Sequence, residues 1–144
     1  MLTHEKLKRI KFLDKEIDAQ LRELENLRSI MGSVKGVDYA KDRVQTSQAA
    51  DVYTLVDKMM DLESGINAKI DRLVELKREV HKEIAELKSP QDRIILQLRY
   101  VELKSWNRIA HELNYSLRYI YKLHGQVLKN LDDKEQMGKR RQRL

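Results

Sequence analysis

The residues best suited to chemistry in this 144-residue chain lie near its C-terminal end, where cations alternate with planar and apolar side chains. Arg118 and Lys122 are four residues apart, so on a helix both face the same side. An arginine guanidinium can donate two parallel hydrogen bonds to O6 and N7 of guanine, and Leu117 and Tyr121 can contact thymine methyl groups or sugars. These residue types at this spacing predict a helix that reads base edges in the DNA major groove.

Neighbouring residues extend this candidate DNA-binding surface. Ser105 and Ser116 precede helical segments, and the free N–H groups at a helix start can bind phosphate. The predicted DNA-binding set is Lys104, Ser105, Arg108, Ser116, Leu117, Arg118, Tyr121, Lys122, Gly125, Gln126 and Lys129. A basic tail adds Lys139, Arg140, Arg141 and Arg143 for phosphate contacts. The alternative interpretation of all these residues is an ordinary solvated helix face.

Three helices and one tight turn must position these side chains. Ser89 is a good N-cap followed by Pro90, which is favoured at the first helical position. Ser105 and Ser116 can cap two further helices, and Asn114 tolerates the left-handed conformation of a sharp turn between them. We expect Tyr100 and Trp106 to be core anchors rather than stacking residues. The pattern predicts a helix-turn-helix domain over 89–131, with the groove-reading helix over 117–131 and a disordered tail over 132–144.

Part of this segment resembles region 4 of bacterial sigma-70 factors, which reads promoter −35 elements. The matching runs are 93–100 (RIILQLRY), 109–113 (IAHEL) and 116–131. The chain as a whole resembles phage and prophage late transcriptional regulators of the ArpU/RinA kind, through the segment from 36–39 to 44–47 and through Arg99-Tyr100 followed by Ser105-Trp106. This resemblance implies activation of phage late genes, with host RNA polymerase as a candidate partner. Asn114 stands where the pattern has glycine, and no sigma region 2 is present, so the chain is not a complete sigma factor.

The N-terminal half carries apolar residues at heptad spacing. They predict helices over about 3–31 and 48–88, joined by a loop over 32–47 that begins at Gly32 and covers one end of the hairpin or binds a ligand. The predicted fold is therefore all-α: an antiparallel, coiled-coil-like hairpin over 1–88 followed by the helix-turn-helix domain. Two helices leave much of each apolar stripe exposed, which favours a homodimer or higher homo-oligomer over docking of the C-terminal domain on the hairpin. The predicted oligomerisation residues are Ile10, Leu13, Ile17, Leu24, Leu27, Val52, Met59, Leu62, Ile66, Leu73 and Val80.

The net charge of +6 is located entirely in the C-terminal part of the chain. Residues 1–88 hold 17 Lys and Arg against 17 Asp and Glu, whereas residues 89–144 hold 12 against 6. A basic domain beside a neutral one is typical of a polyanion-binding head on a separate framework. The charge distribution therefore favours double-stranded DNA as the partner.

Several function classes lack their sequence signals. The chain has no cysteine, which excludes disulfides and Cys-ligated zinc, and its four histidines have no metal-ligand or triad spacing. There is no glycine-rich phosphate loop, so we expect neither an enzyme nor a cofactor. No signal peptide or membrane span is evident, and we expect a cytoplasmic, nucleoid-associated protein of a bacterial host. Two alternatives stay open: a small-terminase-like DNA-packaging subunit, and an RNA polymerase adaptor that does not read bases.

Overall fold

A computed structural model of the chain describes residues 1–35 and 42–143, and this part of the chain is helical with no strand. Its five α-helices are α1 (His4–Lys35), α2 (Asp42–Ala85), α3 (Pro90–Leu96), α4 (Trp106–Leu113) and α5 (Leu117–Arg143). A π-helical segment, Gln97–Val101, continues directly from α3. The predicted all-α class is confirmed. No described helix has a stretch long and apolar enough to cross a membrane.

The two long helices extend into the predicted loop. α1 continues past Gly32 to Lys35, and α2 begins at Asp42 rather than near residue 48. A side chain at Gly32 would meet open space, so this glycine marks no close approach, and its cost of about 1 kcal/mol relative to alanine does not end the helix. Residues 36–41, which include part of the predicted loop and part of the family resemblance, lie outside the described residues.

The chain forms two compact units whose limits differ from the predicted boundary at residue 88. The first unit comprises Met1–Phe12 and Leu73–Leu144, and the second comprises Leu13–Arg72. Each long helix therefore contributes to both units. The N-terminal segment of α1 and the C-terminal segment of α2 belong with the C-terminal helices rather than with the rest of the predicted hairpin.

In the second unit, ion pairs connect α1 with α2. Lys69 Nζ lies 2.9 Å from Glu16 Oε1, and Arg28 Nη2 lies 2.9 Å from Glu63 Oε1. The position on α2 decreases as the position on α1 increases, so within this unit the two segments run in opposite directions. The buried apolar side chains that the structure describes here are Ile17, Leu24 and Ile66.

The first unit has the larger core. Its buried residues come from every helix and from the π-helical segment: Leu2, Leu7, Ile10, Leu73, Val80, Ile84, Ile95, Leu96, Leu98, Tyr100, Ile109, Ala110, Ile120, Leu123, Val127 and Leu131. Lys6 Nζ donates to Glu83 Oε1 at 2.6 Å, joining the start of α1 to the end of α2. Burial favours a raised pKa for the Glu83 carboxyl, but Lys6 and the N-terminal ammonium outweigh it and hold that pKa below 4.5.

The predicted oligomerisation residues are mostly covered within the single chain. Ile10, Ile17, Leu24, Ile66, Leu73 and Val80 are buried, and Leu13, Leu27, Val52, Met59 and Leu62 are half-buried. A second copy cannot reach the buried ones unless the helices separate. The assignment of this set to oligomerisation stays a prediction, and a second copy could contact only its half-buried members while the helices stay together.

The basic tail is helical rather than disordered. α5 continues through it to Arg143, where the sequence predicted an end near Leu131. Lys139 pairs with Glu135 at 3.0 Å one helical turn away, and Arg140, Arg141 and Arg143 lie in the last turn, where cations interact favourably with the helix dipole. The apolar period stops after Leu131, so periodicity alone does not predict that the helix continues.

Candidate nucleic-acid interface

Serine side chains begin the three C-terminal helices, as predicted. Ser89 Oγ accepts the N–H of Asp92 at 3.3 Å, and Ser105 Oγ accepts that of Arg108 at 3.2 Å. Ser116 Oγ accepts the N–H of Tyr119 at 3.1 Å. Each serine hydroxyl accepts a hydrogen bond from one backbone N–H at the start of its helix. Fewer free N–H groups therefore remain there to bind phosphate.

The turn between α4 and α5 also has its predicted conformation. Asn114 adopts φ 56° and ψ 37°, in the left-handed region, and ends α4. The N–H of Tyr115 donates to the carbonyl of Ala110 at 3.0 Å, which closes the turn. Because α5 starts at Leu117, the two helices are joined by the short link that the sequence pattern requires.

A compact apolar cluster fixes α5 against α4. Leu98, Ile109, Ala110 and Ile120 are buried together, with Trp106, Leu113 and Leu117 packed against them. Leu117 is therefore half-buried in this cluster, which differs from its predicted role as a DNA contact. Its position at the first turn of α5 makes it a packing residue that orients the exposed side chains beside it.

One face of α5 carries an exposed row of cations. Arg118, Lys122 and Lys129 are exposed, and their spacing places them on one side of a helix with 3.6 residues per turn. Gly125 lies in the same row, and a side chain there would meet open space. Gln126 is exposed next to it. Arg140 and Arg143 lie on the same side in the helical tail, beyond the exposed carboxylates of Asp132 and Asp133, which interrupt the row.

Tyrosine rings border the start of this face. Tyr121 is 49% exposed, and its ring meets Trp106 edge-on at 5.7 Å. Tyr119, which the sequence did not assign to either side, is exposed and meets Tyr115 edge-on at 5.0 Å. The turn and the first turns of α5 thus combine cations with aromatic rings that are held in place by other rings.

Two of the predicted DNA contacts, Lys104 just before α4 and Arg108 on α4, are already paired with carboxylates. Lys104 Nζ lies 2.6 Å from Glu112 and 3.4 Å from Glu102, and Arg108 Nε lies 3.7 Å from Glu112. The hydrogen bond to Glu112 raises the pKa of Lys104, and the same bond lowers the pKa of Glu112. The two cations and two carboxylates sum to zero charge, so this corner attracts phosphate less than the sequence suggested.

The structure also brings together the rings of Tyr100, Trp106 and His124. The sequence predicted Tyr100 and Trp106 as core anchors and gave no role to His124. Tyr100 Oη lies 2.7 Å from His124 Nε2, and Trp106 meets His124 edge-on at 4.5 Å. The Arg99 guanidinium lies 4.3 Å from the centroid of the Trp106 ring. Burial lowers the pKa of His124 to about 4, with further contributions from the charges of Arg99, His4 and Lys11.

Arg99 also forms a hydrogen bond just before the start of α4. Its Nη1 donates to the carbonyl of Lys104 at 3.0 Å, and the N–H of Lys104 donates to Leu98 at 3.0 Å. Between them Leu103 adopts φ 56°, which is unusual for a residue with a side chain. The π-helical segment and this residue set where α4 begins, and no local sequence signal for either is evident.

Among the described residues, no group of three or more His, Cys, Asp or Glu side chains is arranged to hold a metal ion. The candidate site consists mainly of the exposed residues on α5. Their arrangement is suited to binding an extended anion, since the cations form a row rather than a cluster.

Comparison with known proteins identifies a family without a described function. No curated protein and no solved structure matches the chain. Residues 30–132 match a single family model, which extends from the end of α1 into α5 and includes the whole α4–α5 turn. The resemblance to ArpU/RinA regulators and to sigma-70 region 4 stays a prediction. Because the matched residues make up more than half of the chain, the protein belongs to the family described as "Protein of unknown function (DUF1492)".

Proposed function

We propose that this protein is a sequence-specific double-stranded DNA-binding transcriptional regulator. Residues 89–131 form a helix-turn-helix domain, and α5 lies in the major groove with Arg118 and Lys122 at the base edges. The observation that carries the proposal is the exposed row of cations on α5, directly after a left-handed Asn114 turn and supported by a buried apolar cluster. An ordinary solvated helix face would not require a left-handed turn before the helix or cations aligned along one side of it.

The division of roles along α5 supports this proposal. Arg118 and Lys122 lie at the N-terminal end, which is the part of a recognition helix that approaches base edges. Lys129, Arg140 and Arg143 lie further along the same face and contact phosphates of the groove walls. The 12 cations against 6 acidic residues in 89–144 supply the long-range attraction that such an interface needs.

Two copies of the chain form the working regulator. A dimer of helix-turn-helix domains reads two half-sites, and their spacing follows from the framework that holds the domains. The antiparallel segments of α1 and α2, held by the Glu16–Lys69 and Arg28–Glu63 pairs, are part of that framework, a helical hairpin. The resemblance to phage late regulators suggests late promoters as the targets.

The proposal is tested by enriching fragmented source-genome DNA on the purified protein at about 150 mM salt, where non-specific binding is weak. We expect sharp recovery of one or two intergenic sites. The double variant R118A/K122A loses this recovery, whereas the control K8A/R9A, which removes two exposed cations from α1, retains it. Uniform recovery along the genome, or equal loss in both variants, contradicts a sequence-specific reader. Recovery within a packaging gene, together with a ring of eight or more copies, supports a small-terminase-like subunit instead.

A second candidate function is an RNA polymerase adaptor that does not read bases. The observation in its favour is the group of exposed aromatic rings, Tyr115, Tyr119 and Tyr121, because tyrosine is enriched at protein interfaces. The neutralised corner at Lys104 and Glu112 also suits a protein partner better than phosphate. If R118A/K122A keeps full activity at the promoter while Y119A/Y121A loses it, the adaptor is the better explanation.

A further inference from the structure

Two exposed tyrosines lie on either side of the row of cations on α5, and they are held in different ways. At about 100° per residue, Tyr119 and Tyr121 each lie roughly 60° from the nearest cation in the first turns of the helix. The Tyr121 ring meets Trp106, which packs against the buried cluster beneath α5. The Tyr119 ring meets Tyr115, which belongs to the α4–α5 turn. Tyr119 is therefore supported from the turn, in the same helical turn as the first cation.

Tyr119 combines exposure with a fixed position. Its side chain is 40% exposed, and its ring centroid lies 5.0 Å from that of Tyr115 at an interplanar angle of 81°. Gln91 Nε2, near the start of α3, donates to Tyr115 Oη at 3.4 Å. The N–H of Tyr119 donates to Ser116 Oγ at 3.1 Å, so its backbone is part of the cap of α5. A ring that is held in place before binding loses little conformational entropy when a partner covers it.

The surroundings of Tyr119 indicate what covers its ring. Arg118 precedes it and Lys122 follows three residues later, and both are exposed, so the partner must carry negative charge beside an apolar group. The sequence predicted Leu117 as an apolar contact at this end of α5, but that side chain packs against the α4 cluster. Among the four DNA bases, only thymine presents an apolar group, its 5-methyl, at the major-groove edge. Thymine in double-stranded DNA therefore fits both the ring and the cations.

We propose that Tyr119 is a specificity-determining residue whose ring packs on the 5-methyl group of a thymine, next to the guanine that Arg118 contacts. Consecutive Cα atoms are about 3.8 Å apart and consecutive base pairs about 3.4 Å, so the two bases lie within about two base pairs of each other. The N-terminal residues of a recognition helix are the ones that approach base edges, which favours Tyr119 over Tyr121 in the following turn. This inference rests on the proposed function and adds one base preference to it.

Selection from random-sequence DNA tests this base preference. The full-length protein is incubated with random double-stranded DNA at about 150 mM salt, where non-specific binding is weak, and the retained fragments are sequenced. We expect a motif in which a guanine and a thymine lie within about two base pairs of each other. R118A loses the preference for the guanine, and Y119A loses the preference for the thymine while it keeps the guanine. Y53A, which removes a 73% exposed tyrosine from α2, selects the same motif as the unaltered protein.

Removal of the methyl group from the DNA measures the contact directly. Replacing the selected thymine by deoxyuridine weakens binding of the unaltered protein about fourfold, the effect expected for burial of one methyl-sized group. The same replacement has no effect on binding of Y119A, because the ring is absent. Y119F behaves like the unaltered protein, since a phenyl ring packs on the methyl group equally well. If Y119F loses the thymine preference, the contact belongs to the hydroxyl group and the proposal is wrong.

The outcomes separate this inference from the proposed function. Tyr119 is exposed and alanine favours helix, so circular dichroism shows unchanged helix content in Y119A. A motif that Y119A leaves unchanged, or an equal effect of deoxyuridine on Y119A and the unaltered protein, overturns the thymine contact while the proposed function stands. The exposed tyrosines then suit a protein partner instead. If the unaltered protein selects no motif, the proposed function fails and this inference fails with it.

Discussion

The two compact units of this protein are built from the same long helices but bury very different amounts of apolar surface. In the first unit, Leu7, Ile10, Val80, Ile95, Ile109 and Ile120 are fully buried, because segments of α1 and α2 form one compact unit with α3, α4 and α5. In the second unit the described side chains that reach burial are Ile17, Leu24 and Ile66. A heptad pattern thus predicts which face is apolar, and the number of packed helices decides whether that face becomes a core.

The largest expected effect is a difference in stability loss between a core substitution in the first unit and one in the second. Ile120→Ala removes a fully buried side chain from the cluster beneath α5 and lowers the free energy of unfolding by about 2–5 kcal/mol. Leu27→Ala, at a half-buried position of the second unit, lowers it by about 1 kcal/mol, because less apolar surface is lost. Urea unfolding followed by circular dichroism measures both. Equal losses would show that the second unit is as well packed as the first.

The second expected effect is a pH dependence from the first unit. The pKa of His124 falls from 6.5 to about 4 on folding because the ring is buried. Above pH 6.5 the ring is neutral in both states; between 6.5 and 4 the unfolded state binds the proton and stability falls, and below 4 the loss is complete. Allowing for solvent screening of a half-buried ring, the loss is on the order of 1–2 kcal/mol.

Thermal unfolding from pH 7.5 to 4 measures this dependence. His124→Phe keeps a ring against Trp106 and Tyr100 but has no proton to bind, so the slope between pH 6.5 and 4 becomes shallower. An unchanged slope in His124→Phe would assign the pH dependence to other groups.

The next effect concerns the backbone of the α4–α5 turn. Asn114→Ala destabilises the first unit by about 1 kcal/mol, because alanine adopts the left-handed conformation less readily. Asn114→Gly is tolerated, since glycine adopts φ 56° without strain. Chemical unfolding of the two variants gives the comparison. If both variants lose the same stability, the asparagine side chain rather than the backbone angle is what the turn needs.

The smallest expected effect compares one ion pair from each unit. Arg28→Ala breaks an exposed pair with Glu63 and changes stability by less than about 0.5 kcal/mol. Lys6→Ala costs more, about 1 kcal/mol, because Glu83 is mostly covered and its carboxylate loses a hydrogen bond donor. Raising the salt concentration to about 1 M should remove the Arg28 effect and leave most of the Lys6 effect. The reverse order would contradict the burial difference between the units.

The local features of this protein follow from its amino-acid sequence alone. Ser89, Ser105 and Ser116 cap helices, and Asn114 takes the left-handed turn, because each of these preferences depends on a side chain and the backbone within three or four residues. The apolar faces of α4 and α5 were predicted for the same reason, since helical periodicity is a local property. The exposed row of Arg118, Lys122 and Lys129 followed directly from it.

Which of these faces are buried and which of these charges are paired depends on the tertiary structure. Leu117 packs against the α4 cluster, Lys104 is held by Glu112, and His124 meets Tyr100 and Trp106 from a distant part of the chain. The seven-residue pattern on α2 could not show which of its apolar residues are buried, because burial depends on how many helices pack around it. Long-range contacts of this kind are selected by packing and desolvation across the whole unit, and no spacing within the sequence specifies them.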